Sequence, residues 1–325
     1  MSDEEETSSW CCISCCASCS IAAVDDIELN ECDSCDLVQY CSDACRELHR
    51  PEHEEACKKR AAELRDELLF KQPESSHWGD CPICCLPMPL DASKSTMFEC
   101  CGKTMCNGCL RANLVREDEM RLQHKCPFCR KPRASAAESD KRIMKRIEAN
   151  DAVAMRQKGR EEYIEGNYDS AYDYFAKAAE LGDTDAHNKL ALLYHIGHGV
   201  KKDKEKELHH SEEAAIAGHP EARYHLGYVV WVTGNRGRAV KHWIIAAKQG
   251  EDKAIKMLMK AFKEGCVEKE ILAATLRAHK AAVDATKSPQ REEAEEDERL
   301  VLAKEWQMSK KRERPPLNNA ERQID

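Results

Sequence analysis

The sequence contains no apolar run of the roughly 18 residues needed to cross a bilayer, so no membrane segment is expected. Its opening stretch, MSDEEETSSW, lacks the basic and apolar segments of a secretory leader, which points to a cytoplasmic or nuclear protein. Basic excess is also missing: 50 Lys and Arg stand against 59 Asp and Glu, a net charge of −9. Sequence-independent nucleic-acid binding needs a basic surface, so no specific nucleic-acid partner is expected. There is no phosphate-cradling glycine loop, no nucleophile elbow and no hydrolytic triad. These absences leave recognition as the chemistry to look for, with or without group transfer through a partner. Cysteine, too, almost vanishes from the second half: of 20 in the chain, only Cys266 lies beyond residue 130.

The cysteines of the first half come in two runs. The first reads C-x2-C-x12-C-x2-C-x5-C-x3-C-x7-H-x3-C, with Cys16, Cys19, Cys32, Cys35, Cys41, Cys45, His53 and Cys57. The second reads C-x2-C-x15-CC-x4-C-x2-C-x16-C-x2-C, with Cys81, Cys84, Cys100, Cys101, Cys106, Cys109, Cys126 and Cys129. A C-x2-C turn can bring two sulfurs onto one tetrahedral zinc ion. In a reducing compartment, clustered cysteines read as metal ligands rather than disulfides. The 42 residues of the first run are too few to offset chain entropy by apolar burial, so zinc must supply folding free energy, roughly 10–16 kcal/mol per structural site.

With Tyr40 before Cys41 and Ser42 after it, the 16–57 run resembles the MYND zinc finger. The resemblance implies interleaved ligands, one zinc on Cys16, Cys19, Cys41 and Cys45 and another on Cys32, Cys35, His53 and Cys57. Cys12 and Cys15 form a competing first pair, but using them stretches the next gap to sixteen residues; Cys11, Cys12 and Cys15 then remain as spare thiols on a disordered N-terminus, 1–15. MYND fingers are protein-interaction modules, several of which dock proline-containing peptides. Many use a tryptophan three residues before the histidine ligand; Arg50 stands there, so the usual peptide specificity is in doubt. No SET domain accompanies the finger, which disfavours a lysine methyltransferase.

Residues 58–76 carry Leu64, Leu68 and Leu69 at helical spacing and read as a linking helix ended by Pro73. The 77–133 segment resembles a RING domain in an all-cysteine form. The RING cross-brace implies one zinc on Cys81, Cys84, Cys106 and Cys109 and another on Cys100, Cys101, Cys126 and Cys129, which makes four zinc ions per chain with the first module. Where an ordinary RING has histidine this chain has Lys103, whose protonated amine offers no lone pair. The adjacent cysteines 100 and 101 would fill the gap at the cost of strain, with His124 as reserve ligand and Cys85 as bystander. The resemblance also implies a surface for a ubiquitin-conjugating enzyme, built on an aliphatic residue in the first pair, a proline after the seventh ligand and an arginine after the eighth. Ile83, Pro127 and Arg130 hold those positions. Such a ligase works by positioning two partners, and a planar guanidinium suits that bridging task. Ile83 packing a small core, and Arg130 merely solvated in the run RKPR, are the competing readings.

After a polar linker near 131–141, three segment endings align: AKAAELG at 176–182, EEAAIAG at 212–218 and IIAAKQG at 244–250. Paired alanines let helices approach closely, and Gly182, Gly218 and Gly250 can cap helix C-termini in a left-handed conformation. The period fits stacked helical hairpins. With GHGV at 197–200 followed by Asp203, the segment 142–285 resembles Sel-one-like repeats, relatives of the tetratricopeptide repeat. Three units are expected over about 150–250, then a worn fourth whose Ala254, Leu258 and Phe262 keep the apolar face. His195, His198, His209 and His210 read as exposed turn and helix residues rather than ligands. Residues 286–325 read as a charged helix through Leu300, Leu302 and Trp306 and a disordered tail, whose run from Lys310 to Arg314 reads as a solvated basic stretch, with a nuclear-import patch as the alternative.

The expected architecture is therefore two small zinc-binding α+β modules followed by an all-α solenoid. Two functions follow: a RING-type ubiquitin ligase whose repeats hold a substrate protein or peptide, or a non-catalytic zinc-dependent scaffold joining protein partners.

Overall fold

The computed structural model describes residues 16–20 and 28–312, with only the backbone of Ala136 and of residues 304–312. The expected disorder of 1–15 and of the tail beyond Pro315, the spare thiols Cys11, Cys12 and Cys15, and the end of the basic run, residues 313 and 314, lie outside the described residues. Two compact units divide the chain between Lys71 and Gln72.

In the first unit, β1 (Asn30–Glu31) pairs antiparallel with β2 (Gln39–Tyr40), and Cys16 bridges to Gln39. Helix α1 (Asp43–Phe70) starts on the side chain of Ser42, which accepts from the Cys45 backbone N–H. The linking helix expected over 58–76 is thus the second half of a longer helix that begins inside the zinc module. Cys45, His49, His53 and Cys57 recur every fourth residue, so the ligand spacing is itself helical and one face of α1 carries it. The helix ends three residues before Pro73, in the extended backbone that precedes proline.

The second unit opens with the RING-like module. Its hairpin joins β3 (Ser95–Met97) to β4 (Thr104–Cys106), with Thr96 opposite Met105, and leads into α2 (Asn107–Glu119). Met88 and Met105 are buried with Cys81, Cys106 and Cys109, with Trp78, Phe98 and Phe128 packed around them. Residues 136–148, partly expected as linker, form helix α3 (Ala136–Glu148), because Ile143 and Ile147 one turn apart give it an apolar side; Ile143 is buried.

The solenoid follows as α4 (Ala152–Glu165), α5 (Tyr168–Glu180), α6 (Thr184–Ile196), α7 (Lys204–Ile216), α8 (Pro220–Val232), α9 (Arg236–Lys248), α10 (Asp252–Lys263) and α11 (Lys269–Ala285). All six paired alanines are buried. After each pair the glycine is left-handed, with φ of 83°, 86° and 99° at Gly182, Gly218 and Gly250. Each glycine N–H donates to the second alanine carbonyl, and the next residue's N–H to the first. That next residue then caps the following helix: Asp183, His219 and Glu251 accept from backbone N–H groups of α6, α8 and α10. A single seven-residue ending therefore closes one helix and starts the next. Gly199 in the GHGV turn is required by space as well, since a Cβ there would stand 2.4 Å from the Tyr168 carbonyl oxygen. In the worn fourth unit Ala254 and Leu258 are fully buried, but Ala261 takes the buried place and Phe262 is 37% exposed. Finally α12 (Pro289–Arg312) returns to lie against α2.

Candidate metal centres and their setting

Four side-chain groups each bring their ligand atoms within 4.8 Å of one another: Cys16/Cys19/Cys41/Cys45, Cys32/Cys35/His53/Cys57, Cys81/Cys84/Cys106/Cys109 and Cys100/Cys101/Cys126/Cys129. These are the interleaved sets that the two resemblances imply. Zinc–sulfur bonds of about 2.3 Å require tetrahedron edges of about 3.8 Å. The sulfur–sulfur edges are 3.6 Å for Cys19–Cys41 and Cys41–Cys45, 3.7 Å for Cys32–Cys57, 3.9 Å for Cys81–Cys109 and Cys84–Cys106, and 3.7 Å for Cys101–Cys126. Cys35 Sγ lies 3.2 Å from His53 Nε2. All these cysteines are free of disulfides.

Electrostatics points the same way. Four thiolates so close repel, and alone they must share protons. Burial raises the Cys16 thiol, but the backbone N–H groups of Cys19, Cys41 and Ser18 outweigh it and bring it down to about 6. Hydrogen bonds with the thiols of Cys19, Cys16 and Cys45 push Cys41 up to about 12. A divalent cation satisfies such a set without protons, so the donors fit zinc.

Local geometry explains how the chain reaches these positions. In three C-x2-C turns the residue after the second cysteine is left-handed: Ser20, Cys85 and Arg130 have φ of 59°, 54° and 62°. Each donates its N–H to the first cysteine's carbonyl at 2.9 Å. In the first unit, Tyr40 is buried and its hydroxyl lies 3.0 Å from Nδ1 of His49, whose ring stacks on His53. Arg60 grips Asp36 with two hydrogen bonds, at 2.7 and 2.8 Å, which ties α1 to the loop between Cys35 and Cys41.

The cysteine doublet of the second module sits on a turn in which the N–H groups of Cys101 and Gly102 both donate to the Phe98 carbonyl. Gly102, with φ of 71°, takes the left-handed position of this turn. Its tightest edge is Cys100–Cys129, 3.3 Å. Lys103 places its ammonium 5.4 Å over the Phe128 ring, a cation–π contact rather than a ligand position. His124, the reserve ligand, instead faces carboxylates, with Nδ1 3.2 Å from a Glu117 oxygen and Nε2 3.2 Å from an Asp118 oxygen. Cys85 is exposed. Ile83 is 51% exposed, Pro127 half-buried and Arg130 exposed; Arg50 is exposed and paired with Glu47.

A fifth cluster has no signal in the spacing: His77, Asp185 and His219. Nε2 of His77 and of His219 lie 3.0 and 3.3 Å from the same Asp185 oxygen, and the two rings stack at 4.1 Å. Nδ1 of His219 accepts the Ala222 N–H, so its proton is on Nε2 and donates to Asp185. The lone pair a metal would need is thus engaged elsewhere. Burial raises the Asp185 carboxyl, but hydrogen bonds from His219 and His77 and the Arg156 charge outweigh it and hold the carboxyl well below the usual range. This cluster is a joint that fixes the entry to the RING-like module against the repeats. His198 and His210, expected at the surface, are half-buried; His198 stacks on Tyr168, and His210 pairs with His187 through Nδ1 atoms 3.1 Å apart.

Residues 16–57 match the MYND finger model. The repeats match the Sel1 repeat over 148–183, 184–219 and 220–251. The MYND finger and the Sel1 repeats together make this a zinc-binding protein-interaction architecture, to which the second cysteine module adds a RING-like element. Among curated proteins, chitin synthase regulatory factor 4 of Schizosaccharomyces pombe is 34% identical over 86 residues, 26% of this chain and 14% of that protein. The chain thus spans about a seventh of that relative's length. Among solved structures, a Sel1 repeat protein from Oxalobacter formigenes aligns with a TM-score of 0.40 at 26% identity, covering 54% of this chain and 73% of that one. A protective antigen of uropathogenic Escherichia coli strains aligns with a TM-score of 0.38 at 28% identity, over 45% of this chain and 33% of that one. No helix among the described residues is long and apolar enough to cross a membrane.

Proposed function

We propose that the protein is a RING-type ubiquitin ligase whose Sel1 repeats hold the substrate. Its RING-like module recruits the charged conjugating enzyme through Ile83, Pro127 and Arg130, and four zinc ions, two in each cysteine module, maintain the fold. The observation that carries this reading is Ile83: an isoleucine on a zinc turn, 51% exposed where it could have packed the small core, is suited to a partner. Arg130 supports it, because the left-handed turn holds its backbone in place while its side chain remains exposed. For the substrate, a groove of about 840 Å³ is lined by Trp78, Arg160, Ile164, Lys189, Leu192 and Lys256. Arg160, Lys189 and Lys256 stand there beside Asp91, Glu251 and Asp252, which suits a partner segment with apolar anchors and charges of both signs.

The scaffold reading is favoured by Lys103, which lies over Phe128 in the place where an ordinary RING has a ligand histidine. Self-ubiquitination of the zinc-loaded chain with a panel of conjugating enzymes separates the two. The expected result is product with at least one enzyme, lost by tenfold or more in Ile83→Ala and Arg130→Ala at unchanged zinc content. No product with any enzyme at full zinc content would sink the ligase reading and leave the scaffold.

A further inference from the structure

Arg291, in the first turn of α12, is 5% exposed. Its Nη1 donates to the carbonyls of Pro87 and Thr286, both at 2.7 Å, and its Nη2 to the carbonyl of Leu86 at 3.3 Å and to Sγ of Cys84 at 3.3 Å. Gly108 on α2 admits this approach, since a Cβ there would stand 2.8 Å from the Arg291 backbone nitrogen. Flanking ion pairs bring the helix in: Arg111 of α2 bonds Glu293 at 2.6 Å and Asp297, and Lys94 bonds Glu295 at 2.8 Å.

A buried guanidinium is costly unless an anion compensates it. Among the described residues no carboxylate pairs with Arg291; carbonyls take N–H groups of Nη1 and Nη2 without meeting its charge, and its buried Nε has no partner. The group it does touch that would be anionic with zinc bound is Sγ of Cys84, in the set Cys81/Cys84/Cys106/Cys109. A zinc ion with four thiolates carries a net charge of about −2, and an N–H donor on a thiolate disperses that charge. In the module's other set, Cys100/Cys101/Cys126/Cys129, no arginine among the described residues donates to a sulfur; Arg146 donates to the Glu99 carbonyl instead.

We infer that Arg291 is the counter-charge of the zinc site formed by Cys81, Cys84, Cys106 and Cys109. It is a positioning residue that retains the metal there, and the charged site in turn docks the start of α12. The inference rests on the zinc reading of that set. It links the last described helix to metal retention in the RING-like module, 207 residues earlier in the chain.

Metal release from the zinc-loaded full chain into excess chelator tests it, with a thiol-alkylation pulse mapped by mass spectrometry to show which cysteines open. In Arg291→Met one ion per chain is expected to leave about 10–100-fold faster, with Cys81, Cys84, Cys106 and Cys109 labelled first. Arg291→Lys, which keeps the charge without the fork, falls between. Glu293→Ala/Asp297→Ala, which weakens helix docking but keeps Arg291, releases zinc like wild type. Wild-type release rates in both Arg291 variants at full zinc content would overturn the inference. So would equal acceleration in the Glu293/Asp297 variant, because the helix would then act only as a cover. A wild-type chain with no metal on these four cysteines would overturn the zinc reading itself, an outcome distinct from the other two.

Discussion

Two glycines show how closely the repeats pack at the residue scale. Gly227 on α8 faces the buried indole of Trp243, whose Nε1 would lie 2.4 Å from a Cβ and already donates to the Tyr224 carbonyl. Gly227→Ala is expected to destabilise the solenoid by about 1–3 kcal/mol through overpacking. Gly237, inside α9, meets nothing within 4 Å and lacks a positive φ. Gly237→Ala is expected to stabilise by about 0.5–1 kcal/mol. Denaturant midpoints of the two variants check both signs. The His187–His210 pair gives a pH dependence. Burial, then the neighbouring His187, push His210 down to about 4 against an ordinary value of about 6.5. The unfolded chain therefore binds a proton that the folded one refuses, and this contribution to stability is complete above pH ~6.5 and lost as pH falls toward 4. His210→Gln is expected to flatten the profile in that window, read as amide exchange across α6 and α7. The grouping of the candidate ligands was legible here because cysteine pairs at metal-binding spacing stand out in a sequence as few other patterns do. Arg291 was not: it stands in a charged run, REEAEEDER, and only the chain's return reveals its thiolate partner.

Among elements, α1 carries the most information. Cys45 belongs to one metal set, His53 and Cys57 to the other, and His49 between them bonds Tyr40. Cys57→Ser should therefore cost the second set its metal and also loosen the helix beyond it, whereas Arg60→Ala, at a solvent-screened pair, should leave both the metal and the helix close to wild type. Circular dichroism during zinc titration of the two variants checks the contrast. The boundaries of this helix were hidden in the sequence because the ligand run and the leucine pattern read as separate segments, although one periodicity joins them. The repeat endings were legible for the opposite reason. Gly182, Gly218 and Gly250 each answer a backbone demand that few other residues meet, so the demand is printed in the chain.

For the whole molecule, metal dependence should divide the chain as cysteine does. Chelation is expected to melt residues 16–57 and 77–133 while the alanine-packed helices of the Sel1 repeats stay protected, since their core contains no thiolate set. Amide exchange before and after zinc removal would reveal it; loss of protection in α6 to α9 at the same chelator concentration would contradict it. The helical half and the zinc sets were both readable from composition, but the way the chain folds back was not, because contacts such as Arg291 with Cys84 leave no periodicity.

That fold-back has a consequence for biosynthesis. A ribosome adds about 5–20 residues per second, so the 207 residues separating Cys84 from Arg291 correspond to roughly 10–40 s of translation. For that interval the nascent RING-like module holds its thiolates without their arginine. Its metal is then most open to exchange and its thiolates to oxidation, and the arrival of α12 closes that window.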